Sequence, residues 1–163
     1  MKRLTWCRFL LFGALLAALL GAAPVFSRSA AAAADPWLQI VTSPWHGSYV
    51  CNQGLTRLQL TLRPLSGGQR WEADFAFAPD PDNPNVPKGS FRLVGSLDRA
   101  TGHLVLKQQH WLEQPDDASY RMVDLAGTLQ IAAGQALIRG RVTSYGCEDF
   151  AVWQFFADVD GGR

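Results

Sequence analysis

The stretch Leu58-Gln59-Leu60-Thr61-Leu62-Arg63 decides the fold, because apolar and polar side chains alternate in it residue by residue. A period of two places the two sets on opposite faces of a β-strand. The same alternation recurs over residues 71–77, 91–97, 123–131 and 138–142. Weaker versions of it predict further strands over residues 45–51, 103–111 and 150–156. Residues 45–158 are therefore predicted to be all-β, with eight strands.

The connections between these strands fall into two groups. Three are short and contain Gly, as hairpin turns require, at residues 64–69, 99–102 and 132–135. The other four span residues 51–54, 78–89, 112–119 and 144–149. Alternate connections of an antiparallel up-and-down meander lie at opposite ends of the strands. We call the end with the four connections the long-loop end and the opposite end the short-turn end.

The positions of two cysteines indicate that the meander closes on itself. Cys51 ends the first strand and Cys147 precedes the last one, so both lie at the long-loop end. They meet only if the first and last strands are neighbours, as in a small barrel or a closed sandwich. The chain-entropy model gives such a disulfide about 4–5 kcal/mol of stabilisation. A metal or redox role is the alternative, but no C-x-x-C spacing supports it.

Residues 1–34 have the layout of a secretory signal peptide. A basic start precedes the apolar run 9–20, and the small-residue tract 30–34 precedes Asp35. A retained membrane anchor is the alternative, but the apolar run reaches a spanning length only if Pro24 is included. We therefore predict a signal peptide at 1–34, an N-terminal linker at 35–44, a β-barrel domain at 45–158 and a tail at 159–163. The cleaved protein is expected to be periplasmic or secreted, with no stable membrane span.

The net charge of the whole chain, +1, combines a basic segment before residue 35 with an acidic one after it. Four of its 15 bases precede residue 35, so residues 35–163 carry 11 bases and 14 acids, a net charge of −3. This argues against a nucleic-acid partner, which requires surplus Lys and Arg. Acids concentrate at the long-loop end, which favours a cationic protein or envelope component as partner. The candidate partner-binding residues are Asp80, Asp82, Trp111, Glu113, Asp116, Asp117, Tyr145, Glu148 and Asp149.

The sequence offers little catalytic chemistry. The three histidines lack metal-ligand spacing, and the common hydrolase, protease and nucleotide-binding motifs do not occur. The adjacent acids Asp116-Asp117 and Glu148-Asp149 are the only candidates for a carboxylate dyad. The run Asp80-x-Asp82-Asn83-x-Asn85 has oxygen ligands suited to Ca²⁺, but lacks the Gly and the final Glu of the calcium loop. We predict no enzyme activity, no metal and no cofactor.

Two resemblances add to these predictions. The run Trp45-x-Gly47-x-Tyr49-x-Cys51-x-Gln53-Gly54, together with Gly146-Cys147, resembles small exported bacterial β-domains that have no established activity. Tyr49-Val50-Cys51 and the late cysteine also resemble periplasmic inhibitors of C-type lysozyme, which are small disulfide-linked β-barrels. The inhibitory Ser-Gly-x-x-Tyr loop of that family has no clear counterpart in this sequence.

These observations favour an exported, non-enzymatic binding module of the bacterial cell envelope that recognises its partner through the long-loop end. An inhibitor of lysozyme or of another envelope hydrolase is the first alternative. A carboxylate-based enzyme acting on envelope polysaccharide is the second. A structural subunit of a larger envelope assembly is the third.

Overall fold

The computed structural model describes residues 35–65 and 69–156. Within these residues, one short helix precedes eight antiparallel strands, each hydrogen-bonded to the next, and the last strand pairs with the first to close a barrel. The elements are α1 Pro36–Thr42, β1 Trp45–Cys51, β2 Gly54–Pro64, β3 Arg70–Pro79, β4 Gly89–Leu97, β5 His103–Glu113, β6 Leu125–Ala132, β7 Gln135–Val142 and β8 Cys147–Phe155. This confirms the eight-stranded antiparallel meander and shows that it closes as a barrel. The predicted signal peptide and tail lie outside the described residues.

The alternation in the sequence corresponds to the inner and outer faces of the barrel. In β2, Leu58, Leu60 and Leu62 are buried while the residues between them are exposed or half-buried. The interior is filled by side chains around Phe75, whose ring lies 4.5 Å from that of Phe91 and 5.2 Å from that of Tyr49. Burial of these large apolar groups is the main source of stability.

The predicted disulfide joins the closing strands. Cys51 and Cys147 are register partners of β1 and β8, with their Cα atoms 3.8 Å apart. Strand β8 begins at Cys147, three residues earlier than the sequence pattern predicts, because the cysteine itself is paired with β1. The disulfide therefore lies inside the last pair of the barrel, at the long-loop end.

Residues 35–44 form a docked helix where the sequence predicts a linker. The Asp35 carboxylate caps helix α1 by accepting the Trp37 amide at 3.1 Å, and Pro36 occupies the first turn. Val41 is fully buried, and the indole Nε1 of Trp45 donates to its carbonyl oxygen at 3.0 Å. Seven residues are too few for an independently stable helix, so contact with the barrel stabilises α1.

Strand β5 also differs from the prediction. It runs to Glu113, two residues past the predicted end, whereas β6 begins at Leu125, two residues later than predicted. The pairing of β5 with β6 covers only four residues, His103–Leu106. The second half of β5 therefore has β4 as its only strand neighbour among the described residues.

Candidate binding site at the long-loop end

The four connections of the long-loop end brace one another. The Asn83 side-chain amide donates to the carbonyl oxygens of Gln53 at 2.6 Å and Leu55 at 3.0 Å, which ties the β3–β4 connection to the β1–β2 turn. The Asp124 amide donates to Ser144 Oγ at 3.2 Å, which ties the β5–β6 connection to the β7–β8 connection. Loops held in this way on a rigid scaffold are suited to binding, because they lose little conformational freedom when a partner docks.

A cleft of about 460 Å³ lies between three of these connections. Residues of β1, the β1–β2 turn, the β5–β6 connection and the β7–β8 connection line it. Tyr120 covers one side, with its ring stacked at 6.0 Å on that of Phe77. Tyr145, in the β7–β8 connection, also lines the cleft and is fully exposed. The cleft thus combines a packed aromatic wall with one aromatic side chain that has no packing partner among the described rings.

We call Tyr49 and Gln53, which line the cleft from β1 and the β1–β2 turn, the floor of the cleft. The charged side chains Asp117 and Arg121 line it from the β5–β6 connection. Gln53 Nε2 donates to the hydroxyl oxygens of Tyr49 at 3.2 Å and of Thr56 at 3.3 Å. Burial raises the pKa of the Tyr49 phenol well above its ordinary value, so the hydroxyl stays protonated. A protonated phenol and a carboxamide at the floor offer hydrogen bonds to a ligand without an activated nucleophile.

Sequence reasoning did not select Tyr49, Gln53 and Tyr120 as site residues. Tyr49 lies two residues before Cys51 in β1, so a period of two counted from the cysteine was a usable signal that both side chains face the interior. Tyr120 had no such signal, because its position depends on how the β5–β6 connection folds back over Phe77.

The structure divides the predicted acids into engaged and free groups. Asp80 pairs with Arg57 at 3.7 Å, and Asp149 lies 4.0 Å from Arg141. The Ser119 amide donates to the Asp117 carboxylate at 2.8 Å and holds the pKa of Asp117 below its usual range. The remaining four are exposed and make no ion pair or side-chain hydrogen bond with a described residue: Asp82, Glu113, Asp116 and Glu148.

The acids also differ in position. Glu113, Asp116 and Asp117 line one shallow groove beside Tyr120. Asp149 instead lies on the outer wall of the barrel, in a groove that it shares with Arg139 and Arg141. The structure therefore brings three of the predicted acids together and places Asp149 against basic side chains.

Trp111 packs with the core at the mouth of the barrel. Its ring meets that of Phe91 edge-on at 5.4 Å and lies 6.4 Å from that of Phe77. The residue is half-buried. These rings partly cover Trp111, whereas Tyr145 at the same end is fully exposed.

Nothing in the described part of the chain forms a metal centre. No group of three or more His, Cys, Asp or Glu side chains within residues 35–65 and 69–156 is arranged to hold an ion. In the calcium-like run, Asp80 accepts the Asp82 amide at 3.1 Å and Asn83 bonds to backbone carbonyls, so these side chains serve the loop itself.

Helices that could cross a membrane were sought in the same residues. None of the described helices has the length and apolarity that a bilayer span requires.

Comparison of the chain with protein-family models, curated proteins and solved structures finds no match. The resemblances to small exported β-domains and to lysozyme inhibitors therefore stay predictions.

Proposed function

We propose that this protein is an exported, non-enzymatic binding module of the bacterial cell envelope, which recognises a cationic protein or envelope component through its long-loop end. The supporting observation is the fully exposed Tyr145 beside a cleft whose connections are braced by side-chain hydrogen bonds. Tyrosine is enriched at binding hot spots because it supplies a large contact area with few rotatable bonds.

Charge supports the same proposal. Residues 35–163 carry a net charge of −3, and four exposed acids at the long-loop end are free of ion pairs with described residues. Exposed charges of one sign speed the encounter with an oppositely charged partner and make binding sensitive to salt.

The compartment is part of the proposal. A disulfide is compatible with an oxidising location outside the cytoplasm. Together with the signal-peptide pattern of residues 1–34, it supports a periplasmic or secreted protein.

Capture from a cell-envelope extract tests the proposal. The oxidised domain 35–163, a compact unit of the chain, is immobilised, and bound proteins are identified by mass spectrometry. We expect the fourfold variant Asp116→Asn, Asp117→Asn, Tyr145→Ala, Glu148→Gln to lose at least nine-tenths of the partner. A matched control, Gln59→Lys, Gln130→Lys, Gln135→Lys, raises the net charge by the same three units on exposed strand positions. Equal capture by the fourfold variant and the wild type would contradict the proposal.

Inhibition of lysozyme is a narrower form of this proposal. The disulfide that joins the first and last strands and the exposed acids favour it, because C-type lysozyme is cationic. A turbidity assay with lysozyme and a large molar excess of the oxidised domain decides this alternative. Undiminished clearing of the cell suspension rejects inhibition but leaves the broader binding function standing.

The geometry favours binding over the carboxylate-enzyme alternative. A general acid at neutral pH needs a carboxyl group whose pKa is raised by burial. Asp116 and Glu148 are both exposed, and Asp117 is held ionised by the Ser119 amide.

A further inference from the structure

One edge of strand β5 lacks a strand neighbour for most of its length. Pairing with β6 ends at Leu106, yet β5 continues for seven residues to Glu113. The connection that follows does not form a backbone ladder with this edge in the described residues. A strand edge of this kind presents backbone donors and acceptors that another chain can pair with.

Side chains form hydrogen bonds with the backbone groups at the start of this edge. The Asp124 carboxylate accepts a hydrogen bond from the Gln108 backbone amide at 2.9 Å. Lys107 Nζ donates to the other oxygen of Asp124 at 3.0 Å. Gln109 Nε2 donates to the Gln108 carbonyl at 2.9 Å. A carboxylate and a carboxamide thus take the places that a neighbouring strand fills elsewhere in the barrel.

The remainder of the edge is accessible. Gln109 and His110 are exposed, as is Glu113, and the Leu112 side chain is 46% exposed. Two register shifts between β4 and β5 in this region increase the local twist, which limits any added ladder to a few residues.

We propose that residues 109–113 of β5 pair with an extended segment of a partner polypeptide that carries Lys or Arg. Backbone hydrogen bonds to an exposed sheet edge supply affinity for such segments, and side chains beside the edge supply specificity. Charge favours a basic segment, because three acids, Glu113, Asp116 and Asp117, line the groove where β5 ends. Lys88 is the one base among the residues that line it. This inference rests on the proposed function and names the kind of partner that the long-loop end takes.

A blocked eight-residue peptide that alternates Lys and Thr is the probe. Two further versions carry N-methyl groups on the odd or on the even amides, so that each loses the donors of one edge but keeps every charge. A fourth version replaces Lys by Glu. Affinity is measured by titration calorimetry, and hydrogen exchange of the oxidised domain locates the bound peptide.

We expect the Lys–Thr peptide to slow hydrogen exchange at residues 109–113, and one of the N-methylated versions to bind at least tenfold more weakly. The variant Glu113→Gln, Asp116→Asn, Asp117→Asn is expected to bind the Lys–Thr peptide at least fivefold more weakly than the wild type. The control Gln59→Lys, Gln130→Lys, Gln135→Lys is expected to keep the wild-type affinity for the Lys–Thr peptide to within twofold.

Four results would each overturn the inference. Two concern binding: no binding of the Lys–Thr peptide, or equal affinity for all Lys-containing versions. Two concern hydrogen exchange: protection confined to other residues, or protection of residues 109–113 by self-association without peptide. None of them affects capture of a partner from extract, so the proposed function is judged separately by its own experiment.

Discussion

Gly47 shows at the scale of one residue how the barrel closes. A Cβ atom at this position would lie 1.9 Å from the carbonyl oxygen of Ala151 in β8, well inside van der Waals contact. That oxygen belongs to the backbone, so a larger residue requires β1 and β8 to separate. A glycine at position 47 therefore permits the close approach of the first and last strands.

Gly47→Ala is expected to lower the free energy of unfolding by about 2–3 kcal/mol, because overpacking against backbone forces the strands apart. Ser48→Ala, next to it in β1, is the matched control and should change stability by less than about 0.5 kcal/mol. Urea unfolding of the oxidised domain measures both. A similar small loss in the two variants would show that the closing strands have room for a methyl group.

At the scale of secondary-structure elements, helix α1 depends on its contact with the barrel. Arg99, in the β4–β5 turn, makes two hydrogen bonds of 2.6 and 3.1 Å to the Asp35 carboxylate and lies over the Trp37 ring at 4.9 Å. Val41 is inserted into the core from the other end of the helix. Polar contacts thus orient α1, while the buried Val41, together with Trp37 and Ile40, supplies its apolar contact with the core.

Val41→Ala is expected to cost about 2 kcal/mol in unfolding free energy, because Val41 is fully buried and the change leaves a small cavity. Leu38→Ala in the same helix is the control, since Leu38 is 37% exposed and the expected cost is below about 1 kcal/mol. Thermal unfolding followed by circular dichroism compares the two variants. Equal losses would mean that the core does not depend on the docked helix.

Four charged side chains form a closed network on the outer face of β2, β3 and β4. Arg92 lies 2.6 Å from both Glu72 and Asp74, and Arg63 lies 2.6 Å from Asp74 and 3.3 Å from Glu72. Hydrogen bonding from Arg92 is the main cause that holds the pKa of Glu72 below its ordinary value. The network therefore stabilises the ionised form of a carboxylate in the folded state.

Arg92→Gln is expected to lower stability by about 1 kcal/mol at pH 6.5. Because the folded pKa of Glu72 is depressed, its contribution is complete above the unfolded pKa of about 4.3 and is lost as the pH falls through the lower folded value. The difference between wild type and variant should therefore shrink at pH 3. Urea unfolding at both pH values tests this, with the exposed Arg70→Gln as control. A difference that persists at pH 3 would contradict the electrostatic explanation.

At the scale of the whole molecule, the disulfide closes a loop of almost the entire barrel. Cys51 and Cys147 are separated by 96 residues in the sequence, so the bond removes much of the conformational freedom of the unfolded chain. Its effect is global, since it constrains the two strands whose pairing completes the barrel.

The double variant Cys51→Ala, Cys147→Ala is expected to lose about 4–5 kcal/mol of unfolding free energy, as the chain-entropy model gives for a loop of this length. Denaturant unfolding of the oxidised wild type and of the variant measures the loss. Addition of a reducing agent supplies the control, because it should destabilise the wild type to the level of the variant and leave the variant unchanged. An unchanged wild type would indicate that the bond contributes little.

Local patterns explain which features of the fold were predictable. Leu58, Leu60 and Leu62 predicted one apolar face of β2, because side chains alternate between the two faces of any strand, whichever elements pack on it. Glycines such as Gly102 and Gly134 indicated hairpin turns, because glycine adopts the positive φ that these turns require without a Cβ clash. The two cysteines extended this local information to the closure of the barrel.

The candidate site was less predictable. The sequence placed the acids at one end of the barrel, but which of them are free depends on partners distant in sequence, such as Arg57 for Asp80 and Arg141 for Asp149. Trp111 was predicted at the site, whereas its contacts with Phe77 and Phe91 depend on strands distant in sequence. Tyr145 was predicted at the site, whereas its full exposure is a property of the folded loops.

The sequence by itself determined the strand count, the order of the turns, the disulfide and the sharing of one end by four connections, because each follows from residue periodicity or from backbone preferences over a few positions. Only the tertiary structure decided that the closed meander is a barrel and not a sandwich, that residues 36–42 form a docked helix, and that β5 leaves an edge without a strand neighbour in the described chain. These features arise from packing and pairing between residues far apart in the chain. Asp35 and Pro36 mark a place where a helix can begin, but seven residues are stable as a helix only in contact with the barrel. Whether a strand edge is covered or exposed likewise depends on the rest of the barrel.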